Sequence, residues 1–335
     1  MNFDNDPRLS VFRGARVMIT GGLGFIGSTL ARRLIGLGAD VVLVDSLIPE
    51  YGGNLFNVAG FEDRLHVNIS DVRDVHGLRH LLRGRQYLFN LAGQTSHLDS
   101  MTAPLVDLEI NCRAQLTLLE TCREVAPDIR VVFASTRQIY GRPLYVPVDE
   151  KHPIHPVDVN GVNKAAGEAY HILYNDVYGI RACALRLTNT YGPRMRIKDA
   201  RQTFVGIWLR AVIEGKPFEV WDGEQLRDFS YVDDAVEAFL LAAVTAETAG
   251  HAFNVGGEEV LSLKKLAEAL VDAASGDAKF AIKEFPAERK RIDIGDYYAD
   301  DKLFRSVTGW RAQTPIREGL ARSLAFFREN FEHYV

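Results

Sequence analysis

The stretch Arg16-Val17-Met18-Ile19-Thr20-Gly21-Gly22-Leu23-Gly24-Phe25-Ile26-Gly27 joins a short apolar run to a glycine-rich turn. Residues 28–34 continue with apolar side chains at helical spacing. A buried strand, a glycine turn and a helix in this order are typical of the segment that binds the pyrophosphate of a dinucleotide. This segment therefore predicts the start of a dinucleotide-binding fold.

The glycines Gly21, Gly24 and Gly27 each meet a different physical requirement of that segment. One permits a tight turn, one lets the backbone approach the pyrophosphate, and one allows the helix to pack closely on the strand. The helix start adds free N–H groups and the positive end of the helix dipole. We therefore expect phosphates to bind at this turn.

A second buried strand, Asp40-Val41-Val42-Leu43-Val44-Asp45, follows and ends in an acidic residue. In dinucleotide-binding folds, an acid at this point binds the ribose hydroxyls. A carboxylate there would repel a 2′-phosphate, so Asp45 favours NAD over NADP as the cofactor.

The composition is that of an ordinary globular protein, with 47% hydrophobic residues, 25% charged residues and a net charge of −5. Without a long basic run, this balance argues against nucleic acid or an anionic membrane as the main partner. The polar, acidic start of the chain is unlike a signal peptide, and no apolar run reaches membrane-spanning length.

The cysteines Cys112, Cys122 and Cys183 are widely spaced and form no CxxC pair. Their spacing indicates neither a disulfide framework nor a zinc site. We therefore predict no bound metal and a reducing, cytoplasmic location.

Short apolar strands alternate with amphipathic helices through the first half of the 335-residue chain. This alternation predicts an α/β fold with a Rossmann-like, doubly wound parallel sheet. The length favours one large domain with a smaller lobe. We predict an NAD-binding domain over 1–187, to which 232–257 returns, and a smaller C-terminal α/β lobe over 188–335 that binds the substrate.

Further motifs lie along the chain: Phe133-Ala134-Ser135-Thr136-Arg137-Gln138-Ile139-Tyr140-Gly141, Leu185-Arg186-Leu187-Thr188-Asn189-Thr190-Tyr191-Gly192-Pro193, Leu226-Arg227-Asp228-Phe229-Ser230-Tyr231-Val232-Asp233-Asp234 and Phe253-Asn254-Val255-Gly256-Gly257. With the glycine turn, they make the chain resemble the extended short-chain dehydrogenase/reductase family, in particular its NAD-dependent nucleotide-sugar epimerases and dehydratases of the UDP-glucose 4-epimerase type. The resemblance covers nearly the whole chain. It implies transient oxidation of a nucleotide-diphosphate sugar by NAD.

In that family a Ser or Thr, a Tyr and a Lys lie beside the nicotinamide, and the Tyr takes a proton from a sugar hydroxyl. Carried over by position, Thr136 orients the sugar and Lys164 holds the nicotinamide ribose. The tyrosine position holds Asn160, whose amide does not titrate near neutral pH. The implied catalytic residues are therefore Thr136, Asn160 and Lys164, without an identified general base.

Three hypotheses for Asn160 stay open at the level of sequence. Another residue acts as the base, with His97, Tyr140 and His155 as candidates. Alternatively, Asn160 orients a water or the substrate while Lys164 or solvent carries the proton. The third hypothesis is a protein that binds a nucleotide sugar without turning it over.

The residues after Thr136 narrow the reaction. The resemblance places Arg137 and Gln138 where 4,6-dehydratases carry an Asp-Glu pair, and neither side chain supplies a proton at neutral pH. UDP-glucuronate decarboxylases also carry Glu at the Gln138 position. The predicted reaction is therefore epimerisation through a transient keto intermediate. Net dehydrogenation, decarboxylation and silent binding remain the alternatives.

Binding residues are carried over in the same way. The predicted cofactor-binding residues are Gly21, Gly24, Phe25, Ile26, Gly27, Asp45, Ser46, Asp71, Val72, Leu91, Ala92, Gly93, Gln94, Asn111, Lys164 and Thr188. The predicted substrate-binding residues are Ser135, Thr136, Asn189, Arg201, Arg227 and Arg291, because guanidinium groups suit paired phosphate oxygens.

Two long helices are predicted over Pro104–Val125 and Asn160–Tyr178. They match the helices that form a four-helix dimer bundle in the resembling family, which implies a homodimer. A hairpin-like pair of strands is predicted over Phe218–Tyr231, and its aromatic residues favour a place in the core.

Overall fold

The computed structural model describes residues 6–48, 50–201, 203–275, 278–286 and 292–335. Its strands are β1 Arg16–Thr20, β2 Asp40–Asp45, β3 His66–Ile69, β4 Tyr87–Asn90, β5 Arg130–Thr136, β6 Arg181–Leu187, β7 Asn189–Tyr191, β8 Phe218–Trp221, β9 Leu226–Tyr231, β10 Ala252–Val255, β11 Val260–Ser262 and β12 Phe280–Lys283.

Seven of these strands form one sheet in the order β10-β6-β5-β4-β1-β2-β3. All neighbours in it are parallel, with Ile19 of β1 paired to Leu43 of β2 on one side and to Phe89 of β4 on the other. The predicted doubly wound α/β fold is confirmed. The direction of the strand order reverses between β1 and β4, where such sheets bind their ligands.

The described helices are α1 Phe25–Gly36, α2 Val75–Leu82, α3 His97–Thr102, α4 Pro104–Leu108, α5 Ala114–Val125, α6 Val159–Tyr178, α7 Phe204–Ile213, α8 Val232–Val244, α9 Leu263–Ala273, α10 Lys302–Thr308 and α11 Ile316–Asn330. In the described part of the chain, no helix is both long and apolar enough to cross a membrane.

Both faces of the sheet are covered by buried apolar side chains. On one face Leu34 of α1 and Phe239 of α8 join a cluster with Ile19 and Phe89. On the other face Leu118 of α5 packs in a cluster with residues of β1, β2, β4 and β5. Burial on both sides explains why the strands are continuously apolar rather than alternating.

The helix predicted over Pro104–Val125 is interrupted. Between α4 and α5 the backbone forms a π-helical segment, Glu109–Arg113. In a π-helix the backbone hydrogen bonds join residues five positions apart instead of four. The helical course continues through this segment. Asp107 and Asn111, four positions apart, are both buried.

The hairpin predicted over Phe218–Tyr231 is wrong. β8 pairs in parallel with β12, whereas β9 pairs with β7 and β11. β8 and β9 do not pair with each other, because β9 lies between β11 and β7 in one sheet and β8 belongs to a separate sheet with β12. Helices α7, α9 and α11 cover these two small sheets, and Trp208, Leu270 and Phe327 are buried among them.

Candidate functional site

A large cleft opens at the carboxyl ends of the parallel strands and extends over β8 and β9. Its volume is about 1200 Å³. That exceeds the roughly 300–1,000 Å³ of a site for one small molecule. Residues of the glycine turn line one end, and Phe204, Trp221 and Phe285 line the other. The cleft therefore has room for two ligands placed end to end.

Backbone geometry explains the glycines of the turn. Gly21 has a φ of +66°, and a Cβ atom there would lie 2.9 Å from the Leu91 carbonyl. A Cβ atom on Gly27 would collide with the Gly21 carbonyl oxygen. The first glycine thus permits the turn and the third permits the close packing of α1, as the sequence predicts.

The Asp45 carboxylate faces the cleft beside this turn. It accepts hydrogen bonds from the backbone N–H groups of Leu23, at 3.0 Å, and Leu47, at 2.9 Å. Burial raises the pKa of Asp45 above its usual value, and the two backbone bonds oppose that rise. Each oxygen keeps a further lone pair, so the carboxylate can accept the hydroxyls of a ribose.

Most of the predicted cofactor residues line this one cleft. They are Gly21, Gly24, Phe25, Ile26, Gly27, Asp45, Ser46, Asp71, Val72, Leu91, Ala92, Gly93, Gln94, Lys164 and Thr188. The glycine cradle, the Asp45 acceptor and the Lys164 ammonium fit the pyrophosphate and the two riboses of NAD.

Asn111 is the exception among the predicted cofactor residues. Its side chain is fully buried, and its amide donates to the Gln94 carbonyl at 2.9 Å and to Asp107 at 3.0 Å. A Cβ atom on Gly93 would lie 2.8 Å from Asn111 Oδ1 and 2.9 Å from Lys164 Nζ. Asn111 therefore lies behind Gly93, whose lack of a side chain lets Lys164 pass.

The two matched catalytic side chains, Thr136 and Lys164, share one wall of the cleft. Thr136 ends β5, and its hydroxyl oxygen accepts the Gln138 N–H at 3.2 Å. Lys164 Nζ donates to the Ala134 carbonyl at 3.1 Å and lies 4.9 Å from the centre of the Phe133 ring. Burial lowers the pKa of Lys164 to about 8, opposed by the negative charge of Asp107.

Asn160 is held in a buried network of amides. Its Nδ2 donates to the Gln94 carbonyl at 2.8 Å and to Asp107 Oδ2 at 3.0 Å. Asn111 and Asn163 donate to the same Asp107 carboxylate at 3.0 and 2.8 Å. Asn160 lines the cleft, and since both Nδ2 protons are used, its remaining hydrogen-bonding group is the acceptor Oδ1.

Tyr140 and His155, two of the three candidate bases, lie outside the cleft. The buried Tyr140 hydroxyl donates to Asn254 at 2.7 Å and accepts from Arg186 at 2.6 Å. Burial raises the pKa of Tyr140 to about 12, so this phenol stays protonated. His155 is exposed on the loop before α6. Neither residue is therefore placed to act as a base on a ligand in the cleft.

His97, the third candidate, lines the cleft at the start of α3. Its Nδ1 lies 2.9 Å from Oδ2 of the buried Asp158, although the two atoms are not aligned as a hydrogen bond. Among the three candidates, His97 alone has access to the cleft.

The predicted substrate-binding residues that the structure describes differ in whether their side chains are already bound by other protein groups. Ser135 lines it, but its hydroxyl donates to the buried Glu168 at 2.6 Å. Asn189 donates to the Asp228 carbonyl at 3.2 Å. Arg201, on the rim, forms ion pairs with Asp99 and Asp199. Arg291 lies outside the described residues.

Two guanidinium groups meet in the same region. The buried Arg227 binds backbone carbonyls and Asp293, and burial followed by the charge of Arg137 lowers its pKa to about 10. Arg137 donates to Asn189 Oδ1 at 3.0 Å, while its Nη1 has no hydrogen-bond partner among the described residues. Two adjacent cations are unfavourable alone and suit a dianionic ligand.

Sequence reasoning missed two carboxylates of the site, Asp107 and Asp158. Asp107 stands four residues before Asn111, the spacing at which helical side chains share a face. Asp158 stands two residues before Asn160, where it caps α6 by accepting the Gly161 N–H at 2.7 Å. The available indications were the polar residues Asp107 and Asn111 on one face of a predicted helix, and an Asp at the position before α6 where N-cap residues are common.

Residues 17–256 match the model of a known family, described as the NAD dependent epimerase/dehydratase family. A UDP-glucose 4-epimerase of Mycolicibacterium smegmatis is 31% identical over 316 residues, which cover 93% of this chain and 98% of that protein. The comparison therefore spans both the sheet and the smaller lobe.

Two solved structures are similar over nearly their whole length. The UDP-glucose 4-epimerase of Thermotoga maritima, solved with UDP-glucose, has a TM-score of 0.86 at 28% identity, covering 94% of this chain and 99% of that one. The UDP-N-acetylglucosamine 4-epimerase of Methanobrevibacter ruminantium M1, in complex with UDP-N-acetylmuramic acid, has a TM-score of 0.87 at 26% identity, covering 95% and 99%.

Proposed function

We propose that this chain, which belongs to the NAD dependent epimerase/dehydratase family, is an NAD-dependent epimerase of a nucleotide-diphosphate sugar. The observation that carries the proposal is a single cleft that joins a dinucleotide cradle, Thr136 and Lys164 to a pair of guanidinium groups. The similar proteins are named as 4-epimerases of UDP-sugars. A UDP-hexose is therefore the first substrate class to test.

When bound, NAD supplies a hydride acceptor and donor for the carbon that is inverted. The glycine cradle and Asp45 hold its phosphates and ribose, and Lys164 holds the ribose next to the nicotinamide. Thr136 orients the sugar hydroxyl, and Oδ1 of Asn160 offers a second acceptor to the sugar. Closing such a cleft around the sugar excludes water from the oxidised intermediate.

Epimerisation requires fewer groups than the alternatives. A dehydratase needs a further acid and base at the sugar, yet Arg137 and Gln138 occupy the positions after Thr136. Arg137 is half-buried, and the Gln138 amide donates to Asp158 at 3.0 Å. Neither is free to exchange protons, which supports epimerisation over elimination.

Proton NMR of the purified protein with NAD and a panel of UDP-sugars tests this function. New anomeric signals without accumulation of NADH are the expected result. Accumulating NADH would replace the proposal with net oxidation of the sugar. Unchanged signals, together with saturable binding of the sugar nucleotide, would replace it with a binding protein that does not turn over its ligand.

We also propose that 1–187 with 232–257 forms the NAD-binding domain and 188–335 mainly the sugar-nucleotide lobe. The place of β10 at the edge of the large sheet supports the return of 232–257. The guanidinium pair and the aromatic residues Trp221 and Phe285 support the assignment of the lobe.

A homodimer is the proposed assembly. Helices α4 and α6 expose apolar side chains that a bundle with a second copy would cover. They are Leu105, Val106, Val162, Leu173, Val177 and Tyr178, with Leu105 73% exposed. Light scattering is expected to give twice the mass of the chain, and Leu105→Glu to give a monomer. A monomeric wild-type protein would contradict the assembly.

A cytoplasmic location is proposed from the cysteines. Cys112, Cys122 and Cys183 are unpaired, and two of them are buried in the core. Free thiols of this kind persist in a reducing compartment. Cell fractionation of the host is the test.

A further inference from the structure

We propose that His97, oriented by Asp158, exchanges the proton of the sugar hydroxyl in place of the absent tyrosine. The inference rests on the proposed epimerase function and assigns its missing acid–base residue. It starts from the observation that Asn160 cannot titrate and that both of its amide protons are bound by the protein.

His97 is fixed beside Asn160 by a hydroxyl that both segments share. Ser100 Oγ donates to the His97 carbonyl at 2.7 Å and accepts the Asn160 N–H at 3.2 Å. Ser96 caps the same helix by accepting the Asp99 N–H at 3.1 Å. The backbone that carries the imidazole is therefore connected by hydrogen bonds, through Ser100, to the first turn of α6.

Asp158 is the partner that orients the imidazole. Its side chain is fully buried, with Oδ1 accepting the Gly161 N–H at 2.7 Å and Oδ2 accepting Gln138 Nε2 at 3.0 Å. Burial pushes the pKa of Asp158 upward, but His97 and these donors hold it below its usual value. An ionised carboxylate on the Nδ1 side keeps the proton there and leaves Nε2 as the acceptor.

The same carboxylate links His97 to the residue that orients the sugar. Gln138 donates through its amide to Asp158 and through its backbone N–H to the Thr136 hydroxyl, at 3.2 Å. His97 and Thr136 both line the cleft. Hydrogen bonds thus connect the orienting hydroxyl of Thr136 to Asp158, whose Oδ2 lies 2.9 Å from Nδ1 of His97.

Other titratable groups in the cleft fit the role less well. Burial and then the charges of Asp99, Glu50 and Asp107 raise the pKa of the Tyr51 phenol, so it stays protonated. Lys164 has a pKa lowered to about 8, but its Nζ is directed to the Ala134 carbonyl. Lys164 is therefore the rival that the experiment must separate from His97.

The proton balance closes within the site. In the first half-reaction the sugar O–H bond would break, its proton would bond to Nε2 of His97, and the carbon would be oxidised to a ketone as its hydride passes to the NAD that the glycine cradle would hold. In the second half-reaction the same hydride would return to the opposite face of the carbonyl, and the imidazolium would give its proton back to the oxygen. The sugar carbon is inverted, the imidazole and NAD are restored, and no reactant besides NAD is needed.

The test compares His97→Gln with His155→Gln, a matched change at a histidine outside the cleft, on the UDP-sugar that the wild type converts best. We expect kcat of His97→Gln to fall about 10²- to 10⁴-fold, while the Kd for the sugar nucleotide changes less than about twofold. His155→Gln is expected to match the wild type. Imidazole added to His97→Ala is expected to restore turnover.

The pH profile supplies a readout that a structural role does not move. An acid limb of the kcat profile is expected in the wild type and is expected to be absent in His97→Gln. Asp158→Asn, which keeps an N-cap residue, is expected to alter this limb. The charged groups on the surrounding elements are Asp99, Asp107, Arg137, Asp158, Lys164 and Arg201.

Failure of this inference is distinct from failure of the proposed function. A wild type that converts no sugar nucleotide would remove the function itself. An active wild type whose His97→Gln variant keeps its kcat, with a fall in rate near the pKa of Lys164, would assign the base to Lys164. If His97→Ala is unfolded and imidazole does not restore its turnover, the pH profile of Asp158→Asn decides. An Asp158→Asn profile equal to that of the wild type overturns the inference.

Discussion

Asn160 Nδ2 donates to Asp107 Oδ2 at 3.0 Å, and this bond joins the first turn of α6 to α4 beneath the cleft. The Asp107 carboxylate is 1% exposed and accepts two further amide protons, from Asn111 and Asn163. A buried carboxylate needs such donors, because an unpaired charge in the interior is costly. The amide of Asn160 is therefore part of the set of donors that keeps the buried Asp107 carboxylate satisfied.

The first prediction concerns Asn160→Tyr. The substitution removes a donor from Asp107 and forces a ring into a position that is 2% exposed. We expect the free energy of unfolding to fall by about 2–4 kcal/mol and turnover to fall as well. Urea unfolding and the NMR assay measure the two effects.

Asn160→Ala separates the size of the side chain from its amide. This variant removes the donor without overpacking, so we expect a smaller loss of stability and a similar loss of turnover. A gain of turnover in Asn160→Tyr at unchanged stability would instead show that the site accommodates the tyrosine that the resembling family carries at this position.

The second prediction is a conflict between stability and function at Lys164. Burial lowers its pKa to about 8, against about 10.4 for a free lysine, so holding its charge in the fold costs about 3 kcal/mol at neutral pH. We expect Lys164→Met to raise the free energy of unfolding at pH 7 by about 2 kcal/mol and to abolish turnover. Urea unfolding measures the first effect.

The pH dependence of that difference has a definite sign. Between the folded and the unfolded pKa the unfolded chain holds the proton and the folded chain does not, so the wild type becomes more stable as pH rises. The advantage of Lys164→Met is therefore full below about pH 8 and vanishes toward about pH 10.4. Lys265→Met, at an exposed lysine of α9, should show neither effect.

Local patterns were enough to predict the parallel sheet and the glycine turn. A Cβ atom on Gly21 or Gly27 would meet atoms of residues that are close in the sequence or follow the adjacent strand. The spacing of these glycines is therefore enough to predict the shape of the turn. Helix α6 ends at Tyr178 as predicted, because Gly179 adopts the left-handed conformation that closes a helix.

Long-range pairings were not predictable in the same way. The network of Asp107 joins it to Asn160 and Asn163, which lie 53 and 56 positions further along the chain. Asp158 and His97 are 61 positions apart, and β8 and β12 pair across a similar separation. Such contacts depend on the packing of whole elements, so the sequence left the general base open among three residues.

The third prediction concerns the choice of cofactor at Asp45. Its carboxylate faces the cleft and accepts two backbone N–H groups. We expect Asp45→Asn to weaken NAD binding about tenfold or more, since hydrogen bonds to a charged group contribute about 1.5–3 kcal/mol. The preference over NADP should narrow because the repulsion of a 2′-phosphate is lost.

Fluorescence titration with each dinucleotide measures the Asp45 effect. Asp40→Asn, at the exposed start of the same strand, is the matched control and should bind NAD like the wild type. Equal affinity of the wild type for NAD and NADP would show that Asp45 does not contact the ribose.

The fourth prediction concerns the guanidinium pair. Arg137 lies beside Arg227, each charge disfavours the other, and Nη1 of Arg137 has no partner among the described residues. We expect Arg137→Gln to weaken UDP binding about tenfold or more and to leave the free protein at least as stable, because a repulsion is removed. Calorimetric titration with UDP and thermal unfolding measure the two effects, with the exposed Arg113→Gln as control. A loss of stability without a loss of affinity would make Arg137 a structural partner of Asn189 instead.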